Sequence, residues 1–306
     1  MIQLRGAYTA LITPMQENGD VDFAGLRDLI RFQISEGIDG ILPLGTTGET
    51  PTLEREEQDK IIETAAEAAA GTVPVIIGTG SNSTKHTIEN TKRAKELGAD
   101  IALVVTPYYN KPNDGGLLRH FETVAAAVDI PILIYNIASR TARNIPPVLM
   151  EQISRIPTVI GIKESSADIP QIGDMVDMVS RKRRDEGRAF SVLSGDDAFT
   201  LPLCALGGDG IISVISNLVP RRVAALTKAC LSGNFEEARK LHYGLLPLVK
   251  GAFIETNPVP IKTAMAWAGL PAGPVRLPLG PMAAENETLL RQALEASQAA
   301  SKVKLT

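Results

Sequence analysis

Histidine and cysteine are scarce in this chain of 306 residues, and each shortage excludes a kind of chemistry. Three histidines, His86, His120 and His242, are too dispersed to build a histidine metal centre. Two cysteines, Cys204 and Cys230, lack metal-type spacing, point to a reduced compartment and read as core residues, so the expected location is the cytoplasm. No apolar run is long enough to span a bilayer. The first residues, Met1-Ile2-Gln3-Leu4-Arg5-Gly6, lead into a strand pattern rather than a secretory leader. A net charge of −4 supplies no general attraction to nucleic acid or an anionic membrane, so neither is an expected partner. The one dense basic run, Arg181-Lys182-Arg183-Arg184, is followed by Asp185 and Glu186 and reads as a solvated loop. Gly78-Thr79-Gly80 lacks the spacing of a dinucleotide fingerprint.

What is present is an alternation of short apolar runs with longer amphipathic segments. Strand candidates fall at 7–12, 40–44, 73–78, 101–105, 132–136, 159–163, 190–194 and 210–214. Helical patterns lie between them at 23–36, 53–70, 83–97, 117–128, 147–155, 169–183 and 198–206. Apolar strands separated by helices indicate a parallel sheet covered on both faces. Eight such repeats predict an α/β fold, a closed (β/α)8 TIM barrel, since an open sheet of the same strands would leave two edges to protect. After Asn217 only helices are expected, at 220–231, 235–248, 258–268 and 285–299. The predicted division is a barrel domain over 1–221 and a C-terminal helical domain over 222–306. Trp267, in a helical apolar pattern, reads as core.

Lys163 stands out. It ends the apolar run Val159-Ile160-Gly161-Ile162-Lys163, where a cation needs an explanation because lysine is almost never fully buried without a partner. Three readings are open. The stem packs while the ammonium reaches solvent, an acid pairs with it, or burial keeps the amine neutral so that it can attack a ketone.

In such a barrel chemistry gathers at the C-terminal ends of the strands. Gly45-Thr46-Thr47-Gly48-Glu49 follows the second strand and offers N–H groups and hydroxyls to a carboxylate, or simply forms a glycine-rich turn. Thr106-Pro107-Tyr108-Tyr109 follows the fourth and concentrates two of the five tyrosines. Tyr135 ends the fifth, and Arg140 lies just beyond it with a guanidinium suited to gripping a carboxylate. Tyr135 and Lys163 are 28 residues apart, about one βαβ repeat, which allows matching heights on neighbouring strands. Asp196 and Asp197 read as turn or cap residues rather than cation ligands. Gly207-Gly208-Asp209-Gly210 precedes the eighth strand, the wrong end for a phosphate site.

Together these motifs resemble the dihydrodipicolinate synthase family of pyruvate-dependent class I aldolases. The resemblance rests on residues 45–49, 105–112, 135–141, 161–164, 194–197, 210–214 and 257–262 and covers nearly the whole chain. It implies condensation of pyruvate with L-aspartate 4-semialdehyde through a lysine imine, without a cofactor or metal. It implies Lys163 as the imine-forming residue, Tyr135 as proton donor and acceptor, and Thr46 linking Tyr135 to Tyr109 in a relay. Thr47 and the backbone of Ile212 would hold the pyruvate carboxylate, and Arg140 the carboxylate of the aldehyde. It also implies a homotetramer built from dimers, with Tyr109 reaching an adjacent subunit. Two positions depart from the family pattern: Ala138 replaces a common proline and Ala142 a common glycine. His86 stands where lysine-sensitive relatives carry an acid, so feedback inhibition by lysine is expected to be weak or absent. The alternatives are a sugar-acid lyase such as N-acetylneuraminate lyase, a noncatalytic keto-acid sensor, and a phosphosugar isomerase. The first is disfavoured by Thr46-Thr47 and Ser139-Arg140-Thr141, the second by the intact lysine and tyrosines, and the third by the missing phosphate loop.

Overall fold

The strands form on largely apolar runs, and nearly all of their residues are buried. In a computed structural model, which describes residues 3–297, they are β1 (Gly6–Ala10), β2 (Gly40–Leu42), β3 (Ile76–Gly78), β4 (Ile101–Val105), β5 (Ile132–Asn136), β6 (Val159–Glu164), β7 (Ser191–Ser194) and β8 (Gly210–Ser213). They make one sheet in the order β2-β1-β8-β7-β6-β5-β4-β3. The paired strands run parallel. A further parallel bridge joins Ile41 of β2 to Val75, the residue before β3. This is the expected (β/α)8 barrel with helices at the C-terminus.

The helices start where a side chain can satisfy their orphan amides. Asp22 accepts from Gly25 N ahead of Phe23–Ser35, Ser83 from His86 N ahead of Thr84–Glu96, and Asn113 from Gly116 N ahead of Asp114–Ala127. Glu54 and Glu57 form a capping box on Arg55–Ala69. Gly210 needs to be glycine: its φ is +141°, and a Cβ would collide with the backbone of Gly6. That close approach explains one glycine of the 207–210 cluster as packing.

By contacts the chain groups into two compact units. One comprises Met1–Gly6 and Ile76–Ile212; the other comprises Ala7–Val75 and Ser213–Thr306. The second unit therefore joins β1 and β2 with the C-terminal helices Pro220–Leu231, Phe235–Ala252, Val259–Trp267 and Ala284–Ala296. The last two residues of the helix expected at 285–299 lie outside the described residues. Among the described residues no strand follows β8. No helix there is long and apolar enough to cross a membrane.

The structure overturns two expectations. The basic run at 181–184 is helical, not a loop: a π-helical segment, Met175–Arg181, continues into Lys182–Asp185. Consecutive residues on a helix point in different directions, so one of four basic side chains must turn inward. That residue is Arg183, which is buried and bonds Glu151 at 2.9 Å and Glu186 at 2.9 Å. Lys182 also reaches Glu151, at 2.7 Å. Trp267 is half-buried rather than core, with the Arg291 guanidinium 3.7 Å above its ring. Cys204 and Cys230 are buried, as expected.

Candidate active site

The first unit holds the lysine. The pairing of β5 with β6 sets Tyr135 opposite Lys163 and Asn136 opposite Glu164. Every residue of both strands is buried, and Lys163 is only 6% exposed. The ammonium does not reach solvent along a packed stem. Its Nζ lies 4.3 Å from the centroid of the Tyr135 ring. Burial pulls the pKa of Lys163 from 10.5 down to about 7. The Asp197 carboxylate pulls the other way without restoring the ordinary value, and the Arg140 guanidinium adds a smaller repulsion. The amine is thus close to half neutral at pH 7. Gly195 keeps the space beside it open, since a Cβ there would stand 2.9 Å from Lys163 Cε and collide with Ser165. Asp196 serves as a cap, accepting from Ala198 N at 2.9 Å.

Arg140 sits on the short helix Ala138–Thr141 that follows β5. The next residue, Ala142, takes a left-handed conformation with φ +57°. A glycine would adopt this at no steric cost, so the alanine strains the loop without abolishing it. Ile212 is fully buried in β8. Tyr109 is 91% exposed on a left-handed backbone, φ +72°.

The second unit holds the threonine loop after β2. Thr47 is buried and its Oγ1 accepts from Asn257 Nδ2 at 2.9 Å; Thr46 is half-buried. Leu44 and Glu49, on either side, are both left-handed, with φ of +56° and +55°. Such strain persists only where surroundings over-determine it. Here a buried ion pair does so. Lys262 Nζ donates to Glu49 Oε1 at 2.7 Å, to the Pro274 carbonyl at 2.6 Å and to the Thr13 carbonyl at 3.1 Å. Glu49 Oε2 accepts from Arg276 N at 2.9 Å. Burial lowers the Lys262 pKa, and the Glu49 carboxylate opposes that fall.

Of the residues singled out by sequence, Lys163, Tyr135, Arg140, Tyr109 and Ile212 lie in one unit, and Thr46 and Thr47 in the other. Sequence reasoning gave no role to Asn257 and Lys262, which anchor the threonine loop, or to the buried pair Asn136 and Glu164 behind Tyr135 and Lys163. One signal was available: Lys262 is the sole charge in the otherwise largely apolar helix Val259–Trp267.

The chain is similar along nearly all its length to known proteins. Residues 3–297 match the model of the dihydrodipicolinate synthetase family. The chain is 50% identical over 291 residues to the 4-hydroxy-tetrahydrodipicolinate synthase of Protochlamydia amoebophila, covering 95% of this chain and 96% of that protein. The crystal structure of dihydrodipicolinate synthase from Aquifex aeolicus is 48% identical and superposes with a TM-score of 0.91, over 97% of this chain and 99% of that one. The chloride-inhibited enzyme of Acinetobacter baumannii, complexed with pyruvate, is 37% identical with a TM-score of 0.92, over 96% of this chain and 99% of that one. With a family model spanning the described residues and a relative matched over 95% of this chain, the chain belongs to the dihydrodipicolinate synthetase family.

Proposed function

We propose that the protein condenses pyruvate with L-aspartate 4-semialdehyde to give 4-hydroxy-tetrahydrodipicolinate, the first step towards diaminopimelate and lysine. The observation that carries this is Lys163: buried, with a pKa of about 7, and directly opposite Tyr135 in a chain of this family. The neutral amine attacks the ketone carbon of pyruvate, and loss of water leaves an imine. The imine gives up a methyl proton and becomes an enamine, whose carbon attacks the aldehyde. The amino group of the second substrate then adds to the imine carbon, closes the ring and expels Lys163 as the free amine. No step needs an external electron sink, so neither metal nor organic cofactor is called for.

In this mechanism Tyr135 moves the protons at the imine, and Thr46 couples it to Tyr109. An ordinary tyrosine has a pKa near ~10, so a relay is needed for it to work near neutral pH. Thr47 and the Ile212 backbone hold the pyruvate carboxylate, and Arg140 holds that of the semialdehyde. Two findings support these roles: the anchored, strained threonine loop, and the effect of Arg140 on the charge of Lys163. An exposed Tyr109 on strained backbone fits a residue that completes the site of a neighbouring subunit, in a cytoplasmic homotetramer built from dimers.

The test is to treat the protein with pyruvate and borohydride and map the reduced adduct. The added mass is expected on Lys163; a label elsewhere refutes the mechanism. A coupled assay that offers aspartate semialdehyde and N-acetylneuraminate side by side checks the substrate, and turnover of the sugar acid alone would refute it.

A further inference from the structure

Asn136 and Glu164 lie one residue beyond Tyr135 and Lys163 on the same two strands, and they are paired in the same register. Successive strand residues point to opposite faces, so this second pair is turned away from the lysine chemistry. Both side chains are nonetheless almost completely buried. A buried carboxylate is costly unless donors surround it. Glu164 has several: Asn136 Nδ2 at 3.0 and 3.1 Å, Ser166 N at 2.6 Å and Gln171 Nε2 at 3.4 Å. Burial still raises its pKa. The mechanism uses neither residue.

What they hold is the segment after β5. Asn136 Oδ1 accepts from Ile145 N at 3.0 Å, and Asn136 Nδ2 donates to Asn144 Oδ1 at 2.8 Å. Asn144 and Gln171 exchange a pair of amide hydrogen bonds of 2.7 and 3.1 Å. One side chain at the end of β5 thus fastens the chain eight and nine residues later, closing residues 137–144 into a loop. Arg140 stands in the middle of that loop. The neck of the loop is bonded to Glu164, the residue next to Lys163, so the guanidinium is held in fixed relation to the amine.

We infer that Asn136, Glu164, Asn144 and Gln171 are positioning residues that set Arg140 for the carboxylate of the aldehyde substrate, and thereby determine aldehyde specificity. This rests on the role proposed for Arg140. A loosened neck leaves Lys163 and Tyr135 in place on their strands but lets the guanidinium wander. Pyruvate imine formation should then survive while recognition of the charged aldehyde fails.

The experiment compares Asn144→Ala, Gln171→Leu, Glu164→Gln, Glu164→Ala and Arg140→Ala. Borohydride trapping with pyruvate alone is measured beside KM and kcat for aspartate semialdehyde and for an uncharged aldehyde of similar length. Asn144→Ala should raise KM for the semialdehyde by up to about a hundredfold, the cost of a misplacement of roughly 1 Å, with trapping unchanged. Its preference for the charged aldehyde should fall in step. Glu164→Gln, which keeps the shape and an acceptor oxygen, should retain most of the preference that Glu164→Ala loses. The double variant Asn144→Ala/Arg140→Ala should be no worse than Arg140→Ala alone. Should the Glu164 variants fail to fold, Asn144→Ala and the double variant decide the matter. An unchanged KM in Asn144→Ala, a parallel loss of trapping and turnover, or additive effects in the double variant would each overturn the inference. An unchanged KM in Arg140→Ala itself would instead remove the role of Arg140 on which it rests.

Discussion

The ionisation of Lys163 gives the most direct quantitative prediction. An ordinary lysine with a pKa of 10.5 is neutral in only about three molecules in ten thousand at pH 7, whereas a pKa of about 7 leaves about half neutral. The fall corresponds to roughly 5 kcal/mol in favour of the neutral form, at about 1.36 kcal/mol per pKa unit. Because the proposed nucleophile is the neutral amine, the rate of imine formation should rise with pH and level off above its midpoint. The assay is the initial rate of pyruvate imine formation, trapped by borohydride, from acid to alkaline pH. A midpoint near pH 7 is expected in the unaltered protein. Two charge changes should move it in opposite directions. Asp197→Asn removes an attraction that favours the ammonium, so the midpoint should fall; Arg140→Met removes a repulsion, so it should rise. Both variants must still be measured with pyruvate alone, to keep aldehyde binding out of the result. A midpoint near that of free lysine, or shifts of the opposite sign, would refute the idea that burial activates this amine.

Mixing inactive Tyr109→Phe with inactive Lys163→Ala subunits should restore part of the activity if Tyr109 serves a neighbouring site; no recovery after verified subunit exchange would confine it to its own chain. Lysine should inhibit weakly, because the resemblance puts His86 where lysine-sensitive relatives carry an acid, and Glu57 is already engaged by Arg276 at 2.5 and 2.6 Å. Rates against lysine concentration at saturating pyruvate test this, and half-inhibition at submillimolar lysine would contradict it. Lys262→Met should destabilise the protein by about 3–5 kcal/mol, since it strands a buried Glu49, and adding Glu49→Gln should recover part of the loss in a denaturant titration. Ala142→Gly should raise stability by about 1 kcal/mol, as relief of a left-handed non-glycine residue, and a lower melting temperature would argue against strain there.

The alternation of apolar and amphipathic segments was enough to specify the barrel. Apolar runs separated by helical periods leave few other ways to bury both faces of eight strands, and β4, β5 and the helix Pro220–Leu231 lie where the pattern places them. It also singled out Lys163 and Tyr135, because a cation and a phenol at the ends of buried strands break the apolar pattern. It could not decide among the three readings of that lysine. The answer depends on how completely remote residues exclude water and on where Asp197 and Arg140 come to rest, neither of which periodicity reports. The same limit hid the polar contacts that support the site. Glu49 meets Lys262 across 213 residues, and Thr47 meets Asn257 across 210. Arg183 turned inward and Trp267 partly outward for a related reason. A local pattern names the face a side chain occupies, but only the folded chain supplies the neighbour that covers it.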